Sequence, residues 1–105
     1  MRRSIPLRII TKRKLRQFWE KNPDAKEDLN DWYNRVKKAD WKSRTDLQAD
    51  YPKADLVGDC YVFNIRGNRF RLITRVRFRT HCVYTLHVLT HKEYDREGWK
   101  DDCNC

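Results

Sequence analysis

Arginines alternate along Arg69-Phe70-Arg71-Leu72-Ile73-Thr74-Arg75-Val76-Arg77-Phe78-Arg79. A strand sends successive side chains to opposite faces, so Phe70, Leu72, Val76 and Phe78 share one face. Arg69, Arg71, Arg75, Arg77 and Arg79 share the other, interrupted only by Ile73. Like charges in such a row repel one another unless an anion covers them. The planar guanidinium fork matches phosphate oxygens two at a time, whereas a merely solvated face mixes signs or uses Thr, Lys and Glu. The chemistry written into this segment is therefore polyanion binding. One or two of its arginines could instead pair with acids elsewhere in the fold.

Charge distribution supports the same reading. The net charge is +9, from 24 Lys and Arg against 15 Asp and Glu. Residues 1–21 hold eight basic residues and one acid, and residues 65–81 hold six arginines and no acid. The stretches 22–59 and 82–105 are each slightly acidic. Two basic islands on a near-neutral body form the electrostatic footprint of a nucleic-acid site.

The elements that must position the arginines come from periodicity. A chain of 105 residues with four Trp, five Tyr and four Phe suits one folded domain. Pro6 to Ile10 reads as a short first strand. Thr11 then stands as an N-cap candidate for a helix with Leu15, Phe18 and Trp19 on one stripe. Asn22-Pro23-Asp24 stops that helix, and Asp24 is positioned to cap a second one carrying Ala25, Leu29, Trp32, Tyr33 and Val36. Residues 40–58 connect, with a short helix around Thr45 to Ala49. From residue 59 the period becomes two. Strands are expected over Cys60–Ile65, from Phe70 to about Phe78, and over Val83–Leu89, with turns at Arg66–Arg69 and Thr80-His81. The fold class is α+β: two N-terminal helices packed on a small antiparallel sheet that ends in a three-stranded meander. Residues 97–105 read as a polar tail.

The N-terminus lacks the apolar stretch of a signal peptide, and no run approaches membrane-spanning length. A cytoplasmic protein is expected, and disulfides are rare there. Cys60 and Cys82 stand alone in strand-like runs without the paired spacing of a zinc site, so no metal and no cofactor is expected. Cys103 and Cys105 read as reduced thiols. Composition and periodicity thus reach a basic α+β domain that binds nucleic acid, without separating RNA from DNA or binding from cutting.

A series of segments carries the argument further. Ile9-Ile10-Thr11-Lys12, Phe18-Trp19-Glu20-Lys21, Trp32-Tyr33 and Val36-Lys37-Lys38-Ala39-Asp40-Trp41 resemble the N-terminal half of HigB-type toxins. So do Tyr51-Pro52 with Ala54-Asp55, Val62 to Asn68 and Phe70-Arg71-Leu72-Ile73, and Thr90-His91-Lys92-Glu93-Tyr94-Asp95 closes the match at about residues 7–96. The resemblance implies a RelE-like fold and an mRNA interferase toxin of a type II toxin–antitoxin system. It further implies mRNA cleavage at the ribosome and neutralisation by an antitoxin with a helix-turn-helix domain, through which operator DNA would be met only indirectly.

In RelE an arginine at the position of Arg71 contacts the scissile phosphate. The preceding strand there carries two lysines on the catalytic face, where this chain has Val62 and Asn64. Cleavage of this kind turns the RNA's own 2′-hydroxyl on the adjacent phosphate, which needs a base, an acid and cations around the phosphorane. Arg71 and Arg75 are the cationic candidates. His91 is the acid/base candidate, because it follows the last strand and histidine ordinarily titrates near neutrality. A helix-capping or surface role is its plainer alternative. Tyr94 could donate a hydroxyl or stack a base, and Lys92 could share in proton transfer. Asn64, Arg66, Arg69, Arg75 and Arg77 are the RNA-binding candidates. His87 reads as a packed strand residue and His81 as an exposed turn residue. The competing readings are a non-catalytic nucleic-acid-binding module using the same arginine face, and a domain whose arginines accept an acidic protein segment.

Overall fold

A computed structural model describes residues 7–67 and 69–104. Among the described residues five strands form one sheet in the order β1-β5-β4-β3-β2: β1 Arg8–Ile10, β2 Asp55–Val57, β3 Cys60–Ile65, β4 Phe70–Arg77 and β5 Cys82–Thr90. The meander β3-β4-β5 is antiparallel as its alternation demands. The sheet as a whole is not antiparallel, because β1 runs parallel to β5, Arg8 facing Cys82 and Ile10 facing Tyr84. β2 adds an antiparallel edge beside β3. Gly67 (φ 64°) and Arg66 (φ 52°) carry the left-handed backbone that closes the β3–β4 turn.

Helices α1 (Lys12–Lys21), α2 (Lys26–Lys38) and α3 (Arg44–Asp50) follow β1. Leu15, Leu29, Trp32, Val36, Trp41 and Leu47 are buried from this layer. From the sheet they meet Tyr61, Phe63, Ile65, Phe70, Leu72, Val76 and Val83 in one core. Withdrawing each such side chain from water stabilises the fold by about 1.5–3 kcal/mol, with edge-to-face pairs such as Trp32–Phe63 and Phe18–Phe70 adding to it. The helical face of the sheet is thus the one the alternation assigns to Phe70, Leu72 and Val76.

Three local expectations are corrected. Thr11 sits before α1 in left-handed backbone (φ 76°) and makes no side-chain cap; its carbonyl instead accepts the Thr85 hydroxyl at 2.6 Å. Asp24 falls within a 3-10 turn, Pro23–Ala25, and its carboxylate takes Arg69 rather than capping α2. β4 ends at Arg77, so Phe78 and Arg79 belong to the turn that His81 closes with φ 54°, and His81 is half-buried rather than exposed. Pro6, Asn68 and Cys105 lie outside the described residues.

The largest correction concerns the C-terminus. Residues 97–104 do not trail away as a polar tail. After α4 (His91–Asp95), a 3-10 helix, Gly98–Cys103, crosses the second face of the sheet. Trp99 and Cys103 are buried there with Cys60, Val62 and Ile73, and Val57, Leu86, Leu89 and Tyr94 pack against them. Cys103 is disulfide-bonded to Cys60, 43 residues away in sequence. In the chain-entropy account, closing a loop of that length stabilises the folded state by about 4 kcal/mol. Charge counting passes over this segment because Trp99 and Cys103 are its only apolar anchors, set among Lys100, Asp101, Asp102 and Asn104.

Candidate functional site

Strand register builds the second face of the sheet. Residues directly opposite in adjacent strands share a face. Asn64 lies opposite Arg71, which lies opposite Leu89; Arg75 lies opposite Tyr84; and Arg77 lies opposite Cys82. Cys82 in turn faces Arg8 of β1, so the two basic islands of the sequence meet in one row across the sheet. Between Ile73, paired with His87, and Thr74, paired with Thr85, β5 holds one extra residue, Leu86. This bulge brings both Leu86 and His87 to the arginine face, and Leu86 joins its apolar cluster.

The arginine face has two polar ends separated by an apolar middle. Arg71 and Arg75 are four residues apart, so the strand rise separates them by roughly 13 Å. Ile73 lies between them, covered by Trp99 and the Cys60–Cys103 bridge.

At the first end the Arg71 guanidinium lies 5.3 Å from the centre of the Tyr94 ring. Its Nη1 also donates to the Phe70 carbonyl at 3.3 Å. Tyr94 is itself stacked on Trp99, at 4.9 Å between ring centres and 14° between planes, and the Trp99 indole N–H donates to the Tyr94 carbonyl at 2.9 Å. The layers Arg71–Tyr94–Trp99 hold the arginine from beneath and leave a half-buried cation on the face. Helix α4 is set by a capping box: the Thr90 hydroxyl accepts from Glu93 N–H, and the Glu93 carboxylate accepts from Thr90 N–H. His91 opens this helix, exposed, with Nδ1 3.1 Å from Asp95 Oδ2. Lys92 is exposed beside it. Arg71, Tyr94 and Asn64 are therefore brought together, while His91 and Lys92 stand at the rim. A cleft of about 420 Å³ adjoins Asn64, lined also by Tyr51, Lys53, Phe63 and Gly67. Burial pushes the Tyr51 hydroxyl up to about 12 despite nearby Arg35, so it stays protonated and serves as no general base.

At the second end Arg75 and Arg77 border a groove with Thr80, Tyr84 and Leu86. Lys14 of α1 reaches into the neighbourhood, donating from Nζ to the Leu86 carbonyl at 2.9 Å. Arg75 is half-buried. Its Nη2 donates to the Asp102 carbonyl at 2.6 Å, while its buried Nε has no partner among the described residues. His87 Nε2 lies 2.6 Å from Asp102 Oδ2. His87 is thus a functional candidate that alternation missed; only the bulge at Leu86 would have revealed which way it faces.

Arg66 and Arg69 belong to neither end. Arg69 Nη1 is 2.9 Å from Asp24 Oδ2, and Arg66 Nη1 donates to the Asp24 carbonyl at 2.9 Å. These are the arginines that pair with an acid elsewhere in the fold, tying the β3–β4 turn to the helical layer. Among the described residues, no group of three or more His, Cys, Asp or Glu side chains could hold a metal ion.

Comparison with known proteins gives the family of the chain. A family model for the HigB toxin, the RelE-like toxic component of a toxin–antitoxin system, matches residues 25–97. The mRNA interferase toxin HigB of Escherichia coli strain K12 is 35% identical over 92 residues, covering 85% of this chain and 88% of that protein. The mRNA interferase HigB of Shigella flexneri matches to the same extent. The mRNA interferase HigB of Escherichia coli O6:H1 is 25% identical over 93 residues, covering 86% of this chain and 90% of that protein. With a family model matched over more than half its length and relatives above 30% identity across most of it, this chain belongs to the HigB toxin family.

Proposed function

We propose that the protein is an endoribonuclease toxin of a type II toxin–antitoxin system, acting in the cytoplasm on ribosome-engaged mRNA. The observation that carries this reading is Arg71, a half-buried cation held over Tyr94 on the arginine face of a HigB-family sheet. A guanidinium so held costs little reorganisation when charge develops on a phosphorane, which is where electrostatic catalysis is strongest. The RNA's 2′-hydroxyl attacks the adjacent phosphate, Arg71 stabilises the dianionic transition state, and the 5′-oxygen leaves as it is protonated.

His91 on the rim is the proton-transfer candidate, with the Tyr94 hydroxyl and Lys92 as its neighbours. Asp95 at 3.1 Å orients the imidazole by holding Nδ1, leaving Nε2 for the substrate. Asn64, opposite Arg71, and the groove cations Arg75 and Arg77 bind the RNA on either side of the scissile bond. Arg66 and Arg69, engaged with Asp24, contribute to substrate binding only by exchanging that partner. A helix-turn-helix antitoxin neutralises the protein, and operator DNA is met through the antitoxin alone.

The test is induction of this chain without its antitoxin. Growth should arrest and mRNAs shorten, and cleavage in extract should need no added metal beyond what keeps ribosomes intact. Cleavage abolished by EDTA and restored by Mg²⁺, with ribosome integrity controlled, would overturn the metal-independent chemistry. RNA binding without cleavage would instead assign the protein as a non-catalytic binding module.

A further inference from the structure

We propose that Arg75 and His87 form a binding site for an RNA backbone phosphate that the chain's own Asp102 occupies, and that the Cys60–Cys103 disulfide latches Asp102 there. The proposal rests on the reading of the arginine face as an RNA surface and adds how that surface is closed and opened.

Three independent observations converge on it. Asp102 makes the contacts a phosphodiester would make: its carboxylate lies 2.6 Å from His87 Nε2, and its carbonyl accepts from Arg75 Nη2 at 2.6 Å. These satisfy the site incompletely. Among the described residues no carboxylate forms an ion pair with Arg75, and its Nε is buried without a partner. A half-buried guanidinium left with a neutral carbonyl is matched better by a phosphate, which offers two anionic oxygens to its fork. The third observation is the fastening. Cys103 follows Asp102 directly, its carbonyl accepts from Asp59 N–H at 2.8 Å, and Asn104 Nδ2 donates to the Asp59 carboxylate. With the disulfide closed, Asp102 can leave the groove only by distorting the cross-linked segment. RNA then competes with an intramolecular acid held at high effective concentration.

Opening is a thiol–disulfide exchange with a dithiol reductant. One thiolate of the reductant attacks a sulfur of the bridge, forming a mixed disulfide and expelling the other cysteine as a thiolate, which takes up a proton. The second thiol of the reductant then closes its own disulfide and releases the remaining cysteine. Two electrons and two protons pass to the protein. Both sulfurs are buried, so exchange follows local opening of the 3-10 segment beyond Gly98. In a reducing compartment a disulfide is ordinarily transient or redox-sensing, which is the behaviour a latch requires.

The test uses the full-length chain and a fluorescent single-stranded oligoribonucleotide, 2′-O-methylated so that it cannot be cut. Affinity is measured at fixed salt for oxidised protein and after reduction by dithiothreitol. Reduction should tighten binding about tenfold, the scale of one hydrogen bond to a charged group. Cys103→Ser should bind tightly in both states. Asp102→Asn, which keeps the disulfide, should bind more tightly than wild type while oxidised, and it serves should the cysteine variant fail to fold. Cys82→Ser should keep the redox response. Equal affinity in the two states, or tighter binding when oxidised, overturns the proposal. Tryptic cleavage after Lys100 gives a readout without RNA: it should quicken on reduction, and an unchanged rate overturns the latch. If no state of the protein binds the oligonucleotide, the RNA reading fails, and the tryptic rate alone decides whether the disulfide holds the segment down.

Discussion

The two ends of the arginine face are built from the same residue type on the same strand, yet they are held in opposite ways. Arg71 rests half-buried on a stack of rings, Tyr94 above Trp99. Arg75 borders a groove and is met by the Asp102 backbone carbonyl of the C-terminal segment, whose carboxylate lies against His87 instead. The first arrangement suits the transition-state role proposed for Arg71, which needs a cation fixed at one point. The second resembles a binding surface whose occupant can be exchanged. Charge alone does not separate these roles; what lies under each guanidinium does.

The comparison breaks most visibly at Arg71. Arg71→Ala should lower single-turnover cleavage of ribosome-bound mRNA by roughly two to three orders of magnitude, the loss associated with one oriented electrostatic donor. Circular dichroism should show an intact fold. Full activity in the folded variant would move the chemistry off this end of the sheet.

His91→Gln comes next. General acid–base catalysis by one side chain contributes roughly 10²–10⁴-fold, so a loss at the lower end of that range is expected in single-turnover cleavage. A near wild-type rate would leave Lys92 or Tyr94 to be tested.

At the groove end the effect is smaller and of a different kind. RNA affinity should fall steeply with salt, and in reduced protein Arg75→Ala or Arg77→Ala should flatten the log–log slope by about one unit each. Slopes unchanged in both variants would mean that RNA passes only the Arg71 end.

The smallest effect belongs to the arginines outside both ends. Asp24→Asn removes an exposed ion pair, so chemical denaturation should register less than about 1 kcal/mol. A larger RNA affinity in this variant would show that Arg66 and Arg69 had been withheld from the substrate by Asp24.

The meander was legible because Phe70, Leu72 and Val76 alternate with Arg71, Arg75 and Arg77, and because Leu29, Trp32 and Val36 recur at helical spacing. Family resemblance supplied the role proposed for Arg71, which alternation could only place on a face. The parallel pairing of β1 was not legible, since three residues carry no record of their partner's direction. Nor was the bulge at Leu86, where one inserted residue reverses the facing of everything beyond it. The C-terminal segment escaped for a third reason. Its hold on the sheet depends on Trp99 meeting Tyr94 and on Cys103 meeting Cys60, contacts between residues distant or isolated in sequence, and local polarity hides both.

The lysine at the rim of β5 has a consequence for how this protein behaves in a crowd. Among the described residues β1 pairs with β5 only over Cys82–Tyr84, and farther along the Lys14 ammonium donates to the Leu86 carbonyl. An unpaired strand edge is a template on which a second chain can extend the sheet, the first step towards edge-to-edge aggregation. Here an incoming strand would have to displace a cation from the carbonyl it needs and then lie against Lys14 itself. One side chain from a neighbouring helix thus guards the open rim of the sheet, and replacing Lys14 by an apolar residue should show itself first as a loss of solubility.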